Sequence, residues 1–394
     1  MLFIIISYFC KKLYVRQGRT HGKLLKTMET IPQKKPRLEW LDALRGFTMI
    51  LVVANHVSQM GFEQHSKLSS SLSFLLLFRM PLFFFVSGFL AYKASQVWNL
   101  SGLWQLVKKK LRVQLIPTAV FFILFCAIIC NNFLNSIVNN LHSPTKGGYW
   151  FTIALLWMFI IYYLFSYAES KLKETRLFKE HNIGAVPILL LFVVSLCFYE
   201  TCFLPKIFPW AQGHKMSSIG WLNDLCLERV FYHFPFFLFG NIVHRYWNKS
   251  QRIMDSRWFY PMVITVVIVA TVEVIKWHNL RFAWTNLPST VAKFGLLTIA
   301  FMYFRHYQKY FTKLTVAGST LQYIGRRTLD IYLIHFFFMP NIPTIGMFFD
   351  KYRHNFVLDT TLSVIMALLI IGFCCITSNI LRVSPFLKKW LFGR

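Results

Sequence analysis

Charged residues are scarce in this chain of 394 residues: Asp, Glu, Lys and Arg together make up 15% of it. Hydrophobic residues account for 56%, aromatic residues for 18%, and the mean hydropathy is +0.47. Soluble globular proteins average about 25% charged residues, so this composition argues against a soluble protein. It predicts an all-α, polytopic membrane protein, because a backbone surrounded by lipid must satisfy its own hydrogen bonds.

Acidic residues are the scarcest charged class, with 15 Asp and Glu against 43 Lys and Arg and a net charge of +28. A strong positive charge is also found in proteins that bind nucleic acid. Here, however, the basic residues form short clusters between apolar runs. Such clusters orient membrane helices, because cytoplasmic loops are enriched in Lys and Arg. We therefore predict the lipid bilayer as a partner, and no nucleic acid.

Paired cysteines are also missing, because the eight Cys residues contain no Cys-x-x-Cys motif. Their spacing indicates neither a zinc site nor a disulfide framework, and the thiols are expected to pack as small apolar groups. The sequence shows no internal repeat typical of transporters and no loop long enough for a separate soluble domain. No metal site and no permanently bound cofactor are predicted.

Ten apolar segments of about 20 residues, the length that crosses a bilayer, follow one another along the chain. Lys and Arg are concentrated in alternate loops, which predicts that both termini are cytoplasmic. We predict a cytoplasmic N-terminal segment at 1–36, of which 1–27 is dispensable, and a single transmembrane domain at 37–394. The predicted spans are 40–60, 70–92, 113–134, 149–168, 184–204, 228–246, 257–277, 288–306, 319–339 and 358–381.

The first predicted span carries polar residues that lipid rejects. Arg45 and His56 are eleven positions apart, which leaves them about 20° apart around a helix and about 16 Å apart along it. Asp42 precedes Arg45 by three residues, on nearly the same stripe. The stripe begins near the cytoplasmic surface and reaches the outer half of the membrane at His56. It indicates a functional face, with a simple interfacial pair between Asp42 and Arg45 as the alternative.

Two more groups of basic residues lie at or near the second and third spans. Arg79 lies in the second span at about the depth of His56, and an arginine within the membrane indicates function by default. Lys109, Lys110 and Arg112 precede the third span at the cytoplasmic surface. They are placed either to bind phosphates or only to orient the helix.

The ninth predicted span contains Asp330 near its inner end and His335 in its outer third. A histidine in such a span is either a packed core residue or a functional one. Tyr149 and Trp150 open the fourth span, where aromatic residues are typical of the membrane interface. We interpret these two as interfacial belt residues.

Four stretches resemble motifs of the membrane acyltransferase 3 family, in the family's order. "RGFTMILVVANH", preceded by "LDALRG", resembles its first helix, and "FRMPLFFFVSGFL" resembles the second-span signature of fucose 4-O-acetylase-like members, where His often stands at the position of Arg79. "KKLRVQLIP" resembles the basic start of the third span, with Lys109 where the family often has Arg. "IGRRTLDIYLIH" resembles a late segment, with Thr328 at a Ser position. The resemblance covers 37–392 and is to the stand-alone type, without an added hydrolase-like domain.

The resemblance implies an enzyme of the bacterial inner membrane that transfers an acyl group from cytoplasmic acyl-CoA to a hydroxyl of a surface glycan or its precursor. Acetyl-CoA is the expected co-substrate, with succinyl as an alternative, and a carbohydrate is the expected acceptor. The implied roles fall into three groups. His56 and Arg79 are expected to be catalytic, with His56 a general base or a covalent acyl carrier; Arg45, Lys109, Lys110 and Arg112 are expected to bind the acyl donor; Asp42, Asp330 and His335 are expected to bind the acceptor or support the site.

Two other classes of protein would also use polar residues within the membrane. A transporter or flippase for a charged glycan precursor is the leading alternative. A catalytically silent scaffold is the second, although a scaffold gains nothing from burying Arg45 and His56. Acyl incorporation from labelled acetyl-CoA in detergent separates an enzyme from both.

Overall fold

The computed structural model of the chain describes residues 38–63, 70–130, 132–175, 184–200, 220–276, 287–351 and 356–393. Residues Glu39–Arg394 form one compact unit. The described residues are predominantly helical and contain no strand, which confirms the all-α prediction. The predicted N-terminal segment at 1–36, with its dispensable part at 1–27, lies outside the described residues.

In the part of the chain that the structure describes, each predicted span overlaps a helix or a broken helix. The helices are α1 (Glu39–His56), α2 (Ser70–Ala91), α3 (Leu100–Lys110), α4 (Ile116–Ile129), α5 (Phe133–His142), α6 (Trp150–Glu174), α7 (Val186–Glu200), α8 (Gly220–Asp224), α9 (Leu227–Arg245), α10 (Trp247–Met254), α11 (Phe259–Lys276), α12 (Leu287–His306), α13 (Val316–Arg326), α14 (Thr328–Ile334), α15 (Pro343–Lys351), α16 (Phe356–Leu381) and α17 (Pro385–Phe392). Two π-helical segments, Val57–Gly61 and Leu111–Leu115, and three 3₁₀ segments, Lys146–Gly148, Gln308–Phe311 and His335–Phe338, lie between them.

Three described helices are long and apolar enough to cross a membrane, namely Leu100–Ile129, Trp150–Glu174 and Val357–Leu381. Counting each of two bent helix pairs as one span raises the number to five. The chain is therefore a membrane protein, while ten spans and cytoplasmic termini stay predictions. α1 is not one of the three, and its turns contain three charged residues, Glu39, Asp42 and Arg45.

The sequence pattern suggested one straight helix for the ninth predicted span, but in the structure this helix is broken. α13 ends at Arg326, and α14 begins at Thr328 after a break at Arg327. The chain then continues as a 3₁₀ segment from His335 and bends by 97° before α15. Arg327 donates its backbone N–H to Ile324 O, which closes α13. The break places Thr328 and Asp330 in the first turn of a new helix.

α1 and α13 cross so closely that only glycine fits at the contact. A Cβ added at Gly46 would lie 2.0 Å from Leu321 O, and one added at Gly325 would lie 1.8 Å from Asp42 O. Small residues at such crossings let two membrane helices pack backbone against backbone. The crossing brings the α14 segment that follows α13 against the functional face of α1.

α2 and α9 form a second crossing of the same kind. A Cβ at Gly88 would lie 1.8 Å from Phe237 O, and one at Gly240 would lie 1.9 Å from Phe85 O. Farther along the pair, the Phe89 and His244 rings stack at 4.3 Å. Since α2 also packs on α1, these two crossings fix the positions of the α1, α2 and α14 residues that form the site.

Candidate active site

Two histidines from distant parts of the sequence meet in the interior. His56 Nδ1 lies 2.8 Å from His335 Nε2, and the two rings are nearly parallel, with centroids 5.0 Å apart. His335 is fully buried. Both rings also lie against Phe336, whose centroid is 5.3 Å from that of His56 and 3.9 Å from that of His335. Both interpretations of His335, as a packed core residue and as a functional one, fit these contacts, and its role stays a prediction.

Hydrogen bonds on the far side of His335 determine which nitrogens carry protons. His335 Nδ1 lies 2.8 Å from Tyr332 O and 3.1 Å from Ile331 O. Carbonyl oxygens only accept, so Nδ1 of His335 carries the proton and its Nε2 accepts in the neutral ring. His56 must then donate from Nδ1. We assign the remaining nitrogen, Nε2 of His56, as unprotonated, which makes it a base.

The backbone changes its helical form at both histidines. α1 ends at His56 and continues as the π-helical segment Val57–Gly61, while α14 gives way to a 3₁₀ segment at His335. Departures of this kind from the α-helix are frequent at functional sites.

Two tyrosines form the wall beside this pair. The Tyr149 hydroxyl donates to Leu333 O at 3.1 Å, and Tyr332 donates to Gly148 O and accepts from Phe151 N–H. Tyr149 is fully buried in protein, so its interpretation as an interfacial belt residue is wrong. Sequence reasoning missed both tyrosines, although Tyr332 lies within the quoted "IYLIH" stretch.

Trp150 also faces protein. Its ring lies against buried His233 at 5.6 Å, and the Arg229 guanidinium lies 5.1 Å from its centre. Trp150 is only partly buried, and its interpretation as an interfacial belt residue stays a prediction.

Arg79 is buried, with 7% of its surface exposed, and its Nε has no hydrogen-bond partner within the described part of the chain. It lies within electrostatic range of His56 and Tyr332. The structure therefore places the two predicted catalytic residues within electrostatic range of each other. A buried guanidinium N–H without a partner is costly, and it can donate to an oxygen that becomes negative during a reaction.

A cavity of about 350 Å³, here called the central cavity, opens between α1, α3, α6 and α14. Its size falls within the range of small-molecule sites. Arg45, Lys93, Lys109 and Lys110 supply its charge. The remaining wall is mostly apolar, with Phe83, Leu90, Leu106, Val113, Phe151, Leu155, Phe159 and Leu329.

The central cavity stops one layer short of the histidines. Tyr332 lines it and also packs against His335, with ring centroids 5.8 Å apart. His56, Arg79 and His335 do not line it. A long, thin molecule in this cavity would thus reach the Tyr332 ring with its tip, and a side-chain movement there would open the way to His56.

Arg45 lies at the cavity wall with a quarter of its side chain exposed. Its Nη2 donates to Thr328 Oγ1 at 2.9 Å, and its Nη1 lies 3.4 Å from Asp42 Oδ1. The Thr328 contact joins α1 to the first residue of α14. Asp42 itself is buried, next to the α1–α13 crossing, and holds Arg45 in place.

The basic residues predicted to bind the donor before the third span do not all lie at the central cavity. Lys109 and Lys110 line the central cavity, and the Lys110 ammonium lies 3.1 Å from the centre of the Phe159 ring. Arg112 is exposed and lies outside the cavity lining. The structure adds Lys93, which sequence reasoning treated only as a topology signal.

Asp330 faces away from the histidines. Its Oδ2 accepts from Arg382 Nη2 at 2.6 Å, from Arg382 Nε at 3.0 Å and from Ser378 Oγ at 2.7 Å. These contacts join α14 to α16. Asp330 therefore supports the fold of the site and does not face an acceptor. The described residues contain no group of three His, Cys, Asp or Glu that could hold a metal ion.

Comparison with known proteins gives one match. A family model described as an acyltransferase domain matches residues 38–379. That range includes α1 through most of α16, and with them both histidines, Arg79 and the central cavity. No curated protein and no solved structure matches the chain.

Proposed function

The chain belongs to the acyltransferase 3 family and is an acyltransferase, and from this premise we propose that it transfers an acyl group, most simply acetyl, from acyl-CoA to a hydroxyl of a carbohydrate. The acceptor would be a surface glycan or its precursor, and the location the bacterial inner membrane. The observation that carries the proposal is the His56–His335 pair, which lies one side chain away from a cavity with four cations.

His56 supplies the base. Its Nε2 takes the proton of the acceptor hydroxyl, and the resulting oxygen attacks the thioester carbonyl carbon. The C–S bond then breaks, and the CoA sulfur leaves with the proton that Nε2 had taken. In a second route, Nε2 attacks the thioester carbonyl carbon and the CoA thiolate leaves; the acceptor hydroxyl then attacks the acylated ring, its proton passes to the thiolate, and Nε2 regains its lone pair.

His335 positions that base. Its Nδ1–H is anchored on Tyr332 O, so its Nε2 is an obligatory acceptor for the Nδ1–H of His56. This arrangement fixes one tautomer of His56 and holds its ring in one orientation, as a carboxylate does in other catalytic groups. Arg79 would donate to the thioester oxygen as it becomes negative.

The central cavity would hold the pantetheine arm of the acyl donor. Its apolar wall suits a chain with few charges, and its lysines and Arg45 suit the phosphates at the other end. The thioester would arrive at Tyr332, and movement of that ring would admit it to His56. Water would then meet the thioester only when the ring has moved.

The proposal is tested with the purified chain in detergent, ¹⁴C-acetyl-CoA and glycan extracted from the host. Transfer of label to glycan supports it, because a transporter or a scaffold incorporates none. Mass spectrometry of host glycans with and without the gene identifies the group, through a mass difference of about 42 Da for acetyl or about 100 Da for succinyl. Unchanged glycans together with no label transfer would refute it.

A further inference from the structure

A second cavity, here called the polar cavity, lies beside the central one. It has a volume of about 590 Å³ and is formed by the end of α2, the residues that follow it, α6, the start of α7 and the α9–α10 junction. Lys93 lines both cavities. The sequence motifs pointed to no site here, and neither the histidine pair nor Arg79 reaches it.

The polar cavity is strongly positive. Lys93, Lys173, Arg245 and Lys249 line it, against Glu169 as its one described carboxylate. Glu169 is already matched, because it accepts from both Arg245 Nη atoms at 2.7 Å and lies 3.0 Å from Lys173 Nζ. Within the described residues, Lys93 and Lys249 form no ion pair. The cavity is thus built to receive an anion with more than one charge.

Aromatic side chains also line the polar cavity. Tyr92, Trp98 and Tyr246 line it, and such rings are the usual surfaces on which nucleobases stack. Trp98 packs against Tyr163 at 5.9 Å, and Tyr163 lines the central cavity. Trp98 and Tyr163 therefore form a shared wall between the two cavities.

The lining also argues against a lipid headgroup. Among its described lining residues the polar cavity has no Leu, Ile, Val, Phe or Met, and the small residues there are Ala, Gly and Ser. Acyl chains of a bound lipid would find no aliphatic surface to cover. The central cavity, by contrast, has four Leu and three Phe among its described lining residues.

We infer that the polar cavity binds the nucleotide end of CoA, the adenosine 3′-phosphate 5′-diphosphate. The diphosphate would lie at Lys93, where the cavities meet, and the 3′-phosphate at Lys249. The pantetheine arm would continue from Lys93 into the central cavity. This inference rests on the proposed function, and it adds phosphate contacts at Lys93 and Lys249 that sequence reasoning did not assign.

The test is a set of binding titrations with the purified full chain in detergent. The probes are CoA, dephospho-CoA, which lacks the 3′-phosphate, and pantetheine. The variants are wild type, Lys249→Gln, Lys93→Gln and the control Lys171→Gln. Lys171 lies on α6 beside Lys173 but outside both cavities, where it pairs with Glu174.

We expect Lys249→Gln to weaken CoA binding about tenfold or more, as loss of a charged hydrogen bond to phosphate does. Its binding of dephospho-CoA and pantetheine should stay at the wild-type level. Lys93→Gln should weaken CoA and dephospho-CoA alike, and Lys171→Gln should change nothing. Each variant is first checked for a wild-type melting temperature, and if Lys249→Gln fails that check, the Lys93→Gln result decides.

Three results would overturn the inference. In the first, Lys249→Gln and Lys93→Gln bind CoA as tightly as wild type does. In the second, each variant loses as much affinity for pantetheine as it loses for CoA. In the third, micelles containing phosphatidylglycerol compete with adenosine 3′,5′-bisphosphate for the cavity, which would identify a lipid site. If any of these three results is found and the wild-type chain still binds CoA and transfers label, only this inference fails. If wild type binds no CoA at all, the proposed function fails with it.

Discussion

The two ends of α1 face different surroundings, although both carry a polar side chain that lipid would reject. At one end, Arg45 is a quarter exposed and lies in a cavity beside three lysines. At the other end, His56 meets a fully buried His335, and each hydrogen bond of that pair has a defined direction. An open, charged end suits a molecule that binds and leaves. A base whose ring is held by a buried partner suits a proton transfer.

The glycine crossings explain how one helix can have such different ends. α1 and α13 touch at Gly46 and Gly325, close to Arg45. From that contact the chain breaks at Arg327 and continues as α14 to His335, so the partners of Arg45 and His56 stand at the two ends of α14. The break lets Thr328 contact Arg45 while His335 contacts His56.

The largest expected effect comes from removing the base. His56→Ala should lower turnover about 10²–10⁴-fold, the usual contribution of a general base. The binding of acyl-CoA should hardly change, because His56 does not line the central cavity. Steady-state transfer of labelled acetyl measures the turnover. If the His56→Ala variant retains a tenth of wild-type turnover, His56 is not the base.

The next effect separates the base from the residue that orients it. His335→Ala removes the acceptor for His56 Nδ1–H, so we expect turnover to fall about 10–100-fold with little change in the KM for acyl-CoA. His335→Gln, whose side-chain oxygen can accept the same hydrogen bond, should recover part of the loss. If Gln restores nothing while the protein keeps its melting temperature, the tautomer assignment is wrong.

A smaller effect is expected at the open end. Arg45→Lys keeps the charge but loses the planar fork that bonds Thr328. The KM for acyl-CoA should rise about fivefold to tenfold, with turnover at saturation within about twofold of wild type. Asp42→Asn is the matched control: if Arg45 only pairs with Asp42, both variants should lower the melting temperature and leave the KM unchanged.

The smallest effect should come from Arg112. Because its side chain is exposed and outside both cavities, Arg112→Gln should change the KM for acyl-CoA by less than about twofold. Lys109→Gln and Lys110→Gln, which alter the cavity lining, serve for comparison in the same assay. A KM increase at Arg112 as large as theirs would show that the acyl donor extends beyond the two cavities.

The sequence predicted the helices and several site residues for physical reasons that also mark its limits. Apolar length identified each span, and the eleven-residue spacing placed Arg45 and His56 on one face of α1. It could not show that His335, 279 positions away, meets His56, because that contact depends on how α1 crosses α13. Nor could it separate Lys93 from the other cytoplasmic lysines, since that difference lies in two cavities formed by several helices.

The break at Arg327 was missed for a similar reason. Residues 319–339 are apolar over the length of a span, and no proline interrupts them. Gly325, two residues before the break, packs closely against Asp42 O, and a single-helix pattern does not record such a contact. The same applies to Tyr149, whose hydroxyl partner, Leu333 O, lies on another helix.

The central claim is that Arg45, toward one end of α1, serves the binding of the acyl donor, while His56, at the other end, serves the reaction. Direct titration of a non-hydrolysable acetyl-CoA analogue into purified His56→Ala and Arg45→Lys, beside wild type, tests it most directly. The claim predicts that His56→Ala binds the analogue within about twofold of wild type, while Arg45→Lys binds it about fivefold to tenfold more weakly. Loss of binding in His56→Ala together with wild-type binding in Arg45→Lys would contradict it.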